Sequence, residues 1–141
     1  MLTPYFCLIV KLKEMIERTK SFRIGEKQFI VKFPNVGQII EVEALKQALT
    51  NNKYGAMAQS GIVSMYYALD FVDAIAFLQI CAPDVGRYYN IQDFTSTSPE
   101  KMEMFVDVYK NQIFPWYNDI MNQLRKTTVE NNEQQSEGTD A

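Results

Sequence analysis

The chain has 141 residues, near single-domain size, and its 47% hydrophobic and 22% charged content is that of a globular protein, which excludes a wholly disordered chain. A net charge of −3 with 14 basic residues spread along the sequence gives no basic stripe of the sort that duplex DNA or RNA binders carry, so no nucleic acid partner is expected. Histidine is absent, which removes the usual general base, the usual zinc or iron ligand and most triads, and points to a non-enzyme without metal or cofactor.

At the N-terminus, Pro4 suits a first helical turn, and Leu8, Leu12, Met15 and Thr19 fall on one face with Lys11, Glu14 and Arg18 elsewhere, which predicts an amphipathic helix. Residues 1–20 are therefore expected to be a helical extension that packs on the domain or on a partner helix. The apolar patch Tyr5 to Val10 precedes its lysines and no small-residue cleavage site follows, the reverse of a secretory signal. Met15 offers an alternative start, so the first fourteen residues are expected to be an added element. Cys7 and Cys81 each sit in an apolar run, the setting of reduced, buried cysteines rather than of a disulfide.

From Phe22 the pattern alternates. Phe22 and Ile24, then Phe29, Val31 and Phe33, share one phase, and Gly25-Glu26 supplies the Gly-X pair of a two-residue turn, so a hairpin is predicted with Phe22 opposite Phe29. Two strands are marginal alone in water, so the hairpin must lie on helices or join another sheet; half-burial is favoured over strand addition by another chain. Pro34 ends the second strand, Asn35 and Gln38 form a capping-box pair, and Ile39, Val42, Leu45 and Leu49 make the stripe of a helix that Asn51, Asn52 and Gly55 stop. Glu41 and Glu43 are two apart and point in different directions, so they make no carboxylate pair.

Ser60 to Ala82 is apolar around most of its circumference. A span of about twenty residues suits a bilayer, but Asp70 and Asp73 at its centre would each cost about 2.5 to 3.5 kcal/mol on insertion. A soluble central helix is expected, with no membrane partner. Tyr66, Asp70, Asp73 and Phe77 share a face by helical spacing and are expected to form a solvent rim or partner contact. Asp70 and Asp73 are close enough to cooperate, yet no histidine, third acid or nucleophile accompanies them, so a solvated acidic face is favoured.

Pro83 to Gly86 reads as a turn opening a long loop, in which Arg87, Tyr88 and Tyr89 are the residue types enriched at interface hot spots, the other reading being that the two tyrosines cover the ends of helices. Ser98 as N-cap, Pro99 at the first position and Glu100 in the first turn announce a last helix to about Lys126. Met102, Phe105, Tyr109, Ile113, Trp116, Ile120 and Leu124 track one face, and Pro115 is expected to kink it near Gln112 to Phe114. Residues 127–141 are acidic and nearly devoid of apolar side chains, which predicts a disordered tail. The glycines are too dispersed for a phosphate loop. The expected architecture is α+β, a mainly helical single domain over 21–126 with one N-terminal hairpin.

The run Phe-x-Ile-Gly-x-Lys-x-Phe-x-Val-Lys-Phe-Pro from Phe22 to Pro34, followed by the helix of Val36 to Thr50 and a helical remainder, resembles small structural and assembly proteins of tailed bacteriophages, of the tail-assembly-chaperone type. The resemblance covers Phe22 to Ala82; residues 1–20 depart from it. It implies a cofactor-free protein that works by contacts with copies of itself or with other phage structural proteins, in the bacterial host cytoplasm and in the virion. The contact residues expected are Arg87, Tyr88, Tyr89, Tyr66, Asp70, Asp73, Phe22 and Phe29. The alternative is a small bacterial or phage regulatory adaptor binding one soluble partner.

Overall fold

The alternation of apolar and polar side chains from Thr19 to Lys32 folds into a two-stranded antiparallel hairpin, β1 (Thr19–Ile24) and β2 (Lys27–Lys32). Phe22 lies opposite Phe29, as the turn pair predicts, and Ile24 lies opposite Lys27. Gly25 has φ 61, the left-handed first position of a two-residue turn, which a side chain would strain. The computed structural model describes residues 18–138, with side chains as far as Lys126. The expected N-terminal helix, with Cys7 and Met15, lies outside the described residues, except that Thr19 belongs to β1, so the boundary expected at residue 20 falls inside a strand.

Helix α1 (Val36–Leu49) follows Pro34, and the Asn35–Gln38 capping box closes in both directions at 2.9 and 3.0 Å. Asn51 and Asn52 stop it in left-handed conformations, with φ of 51 and 63, which asparagine tolerates better than other side chains. Gly55, read as part of the stop, instead lies inside a short helix, α2 (Tyr54–Gln59). The central helix α3 (Val63–Cys81) matches its expected span. Beyond it the expected loop is partly helical: α4 (Pro83–Tyr88) starts on Pro83 and is closed by Asn90 at φ 54, and a 3-10 turn covers Phe94–Ser96.

The last helical stretch is α5 (Pro99–Val108), a π-turn at Tyr109–Ile113, and α6 (Phe114–Gly138). Ser98 caps α5 as expected, its hydroxyl accepting from the Lys101 N–H at 3.4 Å. The kink expected from Pro115 takes the form of this π-turn: proline has no N–H for the carbonyl one turn back, and the chain accommodates it with an extra residue just upstream. The Phe114 N–H accordingly reaches back to the Tyr109 carbonyl. α6 runs on past Lys126 to Gly138, carrying helical backbone into the segment whose composition predicts disorder.

The core lies between the hairpin and the helices. Phe22, Ile24 and Val31 are fully buried with Phe77, Phe105 and Ile113. Phe22 stacks on Phe29 with centroids 5.6 Å apart, and Phe105 receives Tyr89 and Phe94 edge-on at 5.4 and 5.5 Å. The hairpin is also fixed by its backbone. The Arg23 N–H donates to Gln112 Oε1 at 2.9 Å, and Gln112 Nε2 donates to the Arg23 carbonyl at 2.9 Å. One glutamine in the π-turn thus bonds to the outer edge of β1 as a neighbouring strand would.

Gly86 is buried where α4 meets the following segment, and a Cβ there would stand 3.1 Å from the Ile91 carbonyl and 3.6 Å from the Phe94 ring. Gly86→Ala is expected to lower the unfolding free energy by about 1–3 kcal/mol through overpacking, measured by urea denaturation; an unchanged midpoint would show that α4 shifts freely.

Candidate functional site

Three of the expected contact residues, Phe29 of β2 and the neighbouring Arg87 and Tyr88 of α4, meet beside β2. Tyr88, at the end of α4, is 57% exposed and stands edge-on to Phe29 with centroids 5.7 Å apart. Lys27 Nζ lies 5.2 Å over the Tyr88 ring, a cation–π contact. A groove of about 460 Å³ runs between β2 and α4, lined by Lys27, Gln28, Phe29 and Ile30 from the strand and by Asp84, Arg87 and Tyr88 from the helix. Ile30 is 68% exposed at its rim. Arg87 pairs with Asp84 one turn back, both well exposed, so this ion pair adds little to stability.

Tyr89 does not join this surface. Consecutive helical side chains diverge by about 100°, and Tyr89 turns inward, where its hydroxyl donates to the Ile24 carbonyl at 3.3 Å and its ring meets Phe105. Burial pushes its hydroxyl above the usual tyrosine range. Phe22, also expected at a contact, is 1% exposed and belongs to the core; the strand face that carries it is the one laid on the helices. Phe29, on the same face, reaches the groove only because it borders the open side of the hairpin.

The face expected to unite Tyr66, Asp70, Asp73 and Phe77 is divided along α3. Phe77 is buried against Tyr109 and Tyr117. Asp73 accepts from the Tyr54 hydroxyl at 2.6 Å and lies 3.7 Å from Lys46 Nζ, which joins α1, α2 and α3 at one point. Asp70 instead pairs with Lys110 of the π-turn at 3.1 Å. The two carboxylates turn to different partners, Asp73 to Tyr54 and to a Lys46 that lies closer to Glu43, and Asp70 to Lys110, so they form no acid–base dyad, and only Tyr66 and Asp70 keep rim positions. Burial raises the Asp73 carboxyl above its ordinary value, and the Tyr54 hydrogen bond and Lys46 only partly offset this. Burial pushes the Cys81 thiol up to about 11, which keeps it protonated and poorly nucleophilic near neutrality. Among the described residues no group of acids, cysteines and histidines is placed to hold a metal ion.

At the start of α3, by contrast, apolar side chains face outward. Ile62, Val63, Met65, Tyr66 and Tyr67 are all exposed, Val63 by 81%. Tyr67 is anchored at one point, its hydroxyl donating to Glu103 Oε1 at 2.7 Å. The far end of the same helix, Ala74 to Leu78, is buried throughout. By length and composition α3 is apolar enough to cross a membrane, but in this fold its second half is core.

Compared with protein-family models, with curated proteins and with solved structures, the chain matches none of them.

Sequence reasoning missed Ile62, Val63, Met65 and Tyr67, because a helix apolar all round does not declare which end its neighbours will cover. It also missed Lys27 and Ile30. Their signal was available: the hairpin, 18–32, holds Arg18, Lys20, Arg23, Lys27 and Lys32 against the single acid Glu26, a basic element in an acidic chain.

Two outcomes follow from these placements. Tyr89→Ala should lower the unfolding free energy by about 2–4 kcal/mol, while Tyr88→Ala should change it by less than about 1 kcal/mol; equal losses in thermal denaturation would contradict the division between them. Asp73 titrates above its unfolded value in the fold, so its contribution to stability is greatest below the unfolded pKa and falls as pH rises through the folded one. Asp73→Asn keeps an acceptor for Tyr54 without the charge, and its stability relative to the parent should improve between pH 3 and pH 7, as read by urea unfolding at both values.

Proposed function

We propose that the chain is a non-catalytic protein-interaction module of phage particle or tail assembly, making contacts with copies of itself or with other structural subunits. The observation that carries the binding reading is the start of α3, where Ile62, Val63, Met65, Tyr66 and Tyr67 stand exposed together. Val63, Tyr66 and Tyr67 share one face by helical spacing, and large apolar side chains exposed on one face are disfavoured in water and mark a protein contact more often than an idle surface. Aromatic and methionine side chains are also those enriched in interface centres. The separate pairing of Asp70 and Asp73 and the protonated Cys81 thiol favour a binding role over chemistry. The phage setting rests on the likeness of Phe22 to Ala82 to tail-assembly proteins, and with it comes a place in the bacterial host cytoplasm and in the virion.

The test is the solution mass of the full chain by size-exclusion chromatography with light scattering over a range of concentrations. Wild type should form a defined oligomer as concentration rises. The double variant Val63→Asp with Tyr66→Asp should remain monomeric, with a melting temperature shifted by no more than about 2 °C because both side chains are exposed. A wild-type monomer at every concentration would exclude self-assembly and favour the adaptor reading, in which the α3 start meets a different chain.

A further inference from the structure

The two edges of the hairpin are not equivalent. On β1, the outward N–H and carbonyl of Arg23 are both taken by Gln112. Arg23 lies opposite Gln28 and Ser21 opposite Ile30. In an antiparallel pair the residues facing one another share one bonding class, and those two along share it too. Because Arg23 directs its backbone outward, Gln28 and Ile30 direct theirs outward from β2. No described residue bonds to those groups, and Ile30 is 68% exposed. One edge is closed by a glutamine that imitates a strand, and the other is left open by the described residues, beside a groove.

We propose that the outer edge of β2 takes an extended acidic segment of a partner protein as a third strand. The proposal rests on the interaction-module reading but uses a surface separate from the start of α3. Charge selects the occupant. The open strand itself carries Lys27 and Lys32 and no acid, and of the two charged residues that α4 adds to the groove, Arg87 is paired with Asp84, in a chain of net charge −3. Edge-to-edge pairing of two copies would bring two such strands together, and repulsion opposes it. An acidic strand is complementary instead. Its side chains on one face would lie by Ile30 and Lys32, and those on the other would enter the groove toward Tyr88 and Lys27, clear of the paired Arg87 and Asp84, so carboxylates placed to meet Lys27 and Lys32, alternating with β-branched or aromatic residues, suit it. Single-stranded nucleic acid fits less well, because the solvent-facing positions Ser21, Arg23, Gln28, Ile30 and Lys32 hold no ring on which bases could stack.

The experiment is fluorescence anisotropy of the full chain with a labelled peptide of about eight residues, a strand's length, alternating Glu with Val. Saturable binding is expected, weakened at least tenfold when the peptide is N-methylated at alternate residues, when its Glu are replaced by Lys, or when the protein carries Lys27→Glu with Lys32→Glu. Both lysines are exposed, so that variant should fold; Ile30→Pro, which deletes one outward N–H, is the sharper variant where its melting curve shows a folded protein. The Val63→Asp, Tyr66→Asp variant should bind the peptide unchanged, which separates failure here from failure of the α3 contact. No binding at millimolar peptide would overturn the proposal, as would equal binding of the N-methylated or Lys peptide, or binding of a labelled oligonucleotide alone. A tenfold gain in affinity on changing Glu130, Glu133 and Glu137 to Gln would also overturn it, by making the chain's own acidic segment the occupant.

Discussion

The rest of the structure depends on one burial: the apolar face of a two-stranded hairpin laid on the aromatic surface around Phe105. Two strands are not stable alone in water, and here Phe22, Ile24 and Val31 disappear into the same core as Phe77, Phe105 and Ile113. Full burial of side chains this size is favourable by about 1.5–3 kcal/mol each. Because that contact fixes the hairpin on α5 and the π-turn, it also decides which strand edge and which strand face remain outside. The groove beside β2 is what the burial leaves open.

The π-turn connects a helical defect to a sheet edge. Pro115 cannot donate a backbone hydrogen bond, and the extra residue upstream of it changes where the Tyr109–Ile113 side chains project. Gln112 then reaches the Arg23 backbone in both directions, and Lys110 reaches Asp70. An uninterrupted α-helix would carry its following residues about 100° further round for each residue removed, so this pair of contacts depends on the insertion. The defect closes one edge of the hairpin and holds α3 at the same time.

Helix α3 combines two roles along its length. Its C-terminal half is core, while its first turns expose isoleucine, valine, methionine and tyrosine. Asp73 marks the transition, bonded to Tyr54 and near Lys46, so that α1, α2 and α3 meet at a half-buried polar point. Such a point is costly for a charge and fixes orientation rather than adding much stability. With the apolar turns of α3 and the groove beside β2, lined by Lys27, Tyr88 and the Arg87–Asp84 pair, the molecule presents two surfaces of different chemistry.

Local physical rules made much of the fold legible. The hairpin register followed from Gly25-Glu26 and the phase of Phe22 and Phe29, the start of α1 from the Asn35–Gln38 box, and the start of α5 from Ser98-Pro99, because turns and caps are decided within a few residues. The span of α3 was equally clear from its largely apolar content and Pro83. Tertiary structure alone decided that Phe22 is core while Phe29 borders a groove, that Tyr88 is exposed while Tyr89 is tied to Ile24, and that Asp70 and Asp73 answer to different lysines. Each of those outcomes depends on which neighbour arrives from elsewhere in the chain, and periodicity assigns a residue to a face without saying what will cover it. The short helix α2 and the bond from Gln112 to β1 were hidden for the same reason: the first is held by Tyr54 reaching Asp73, the second by a side chain 89 positions away from the strand that it completes.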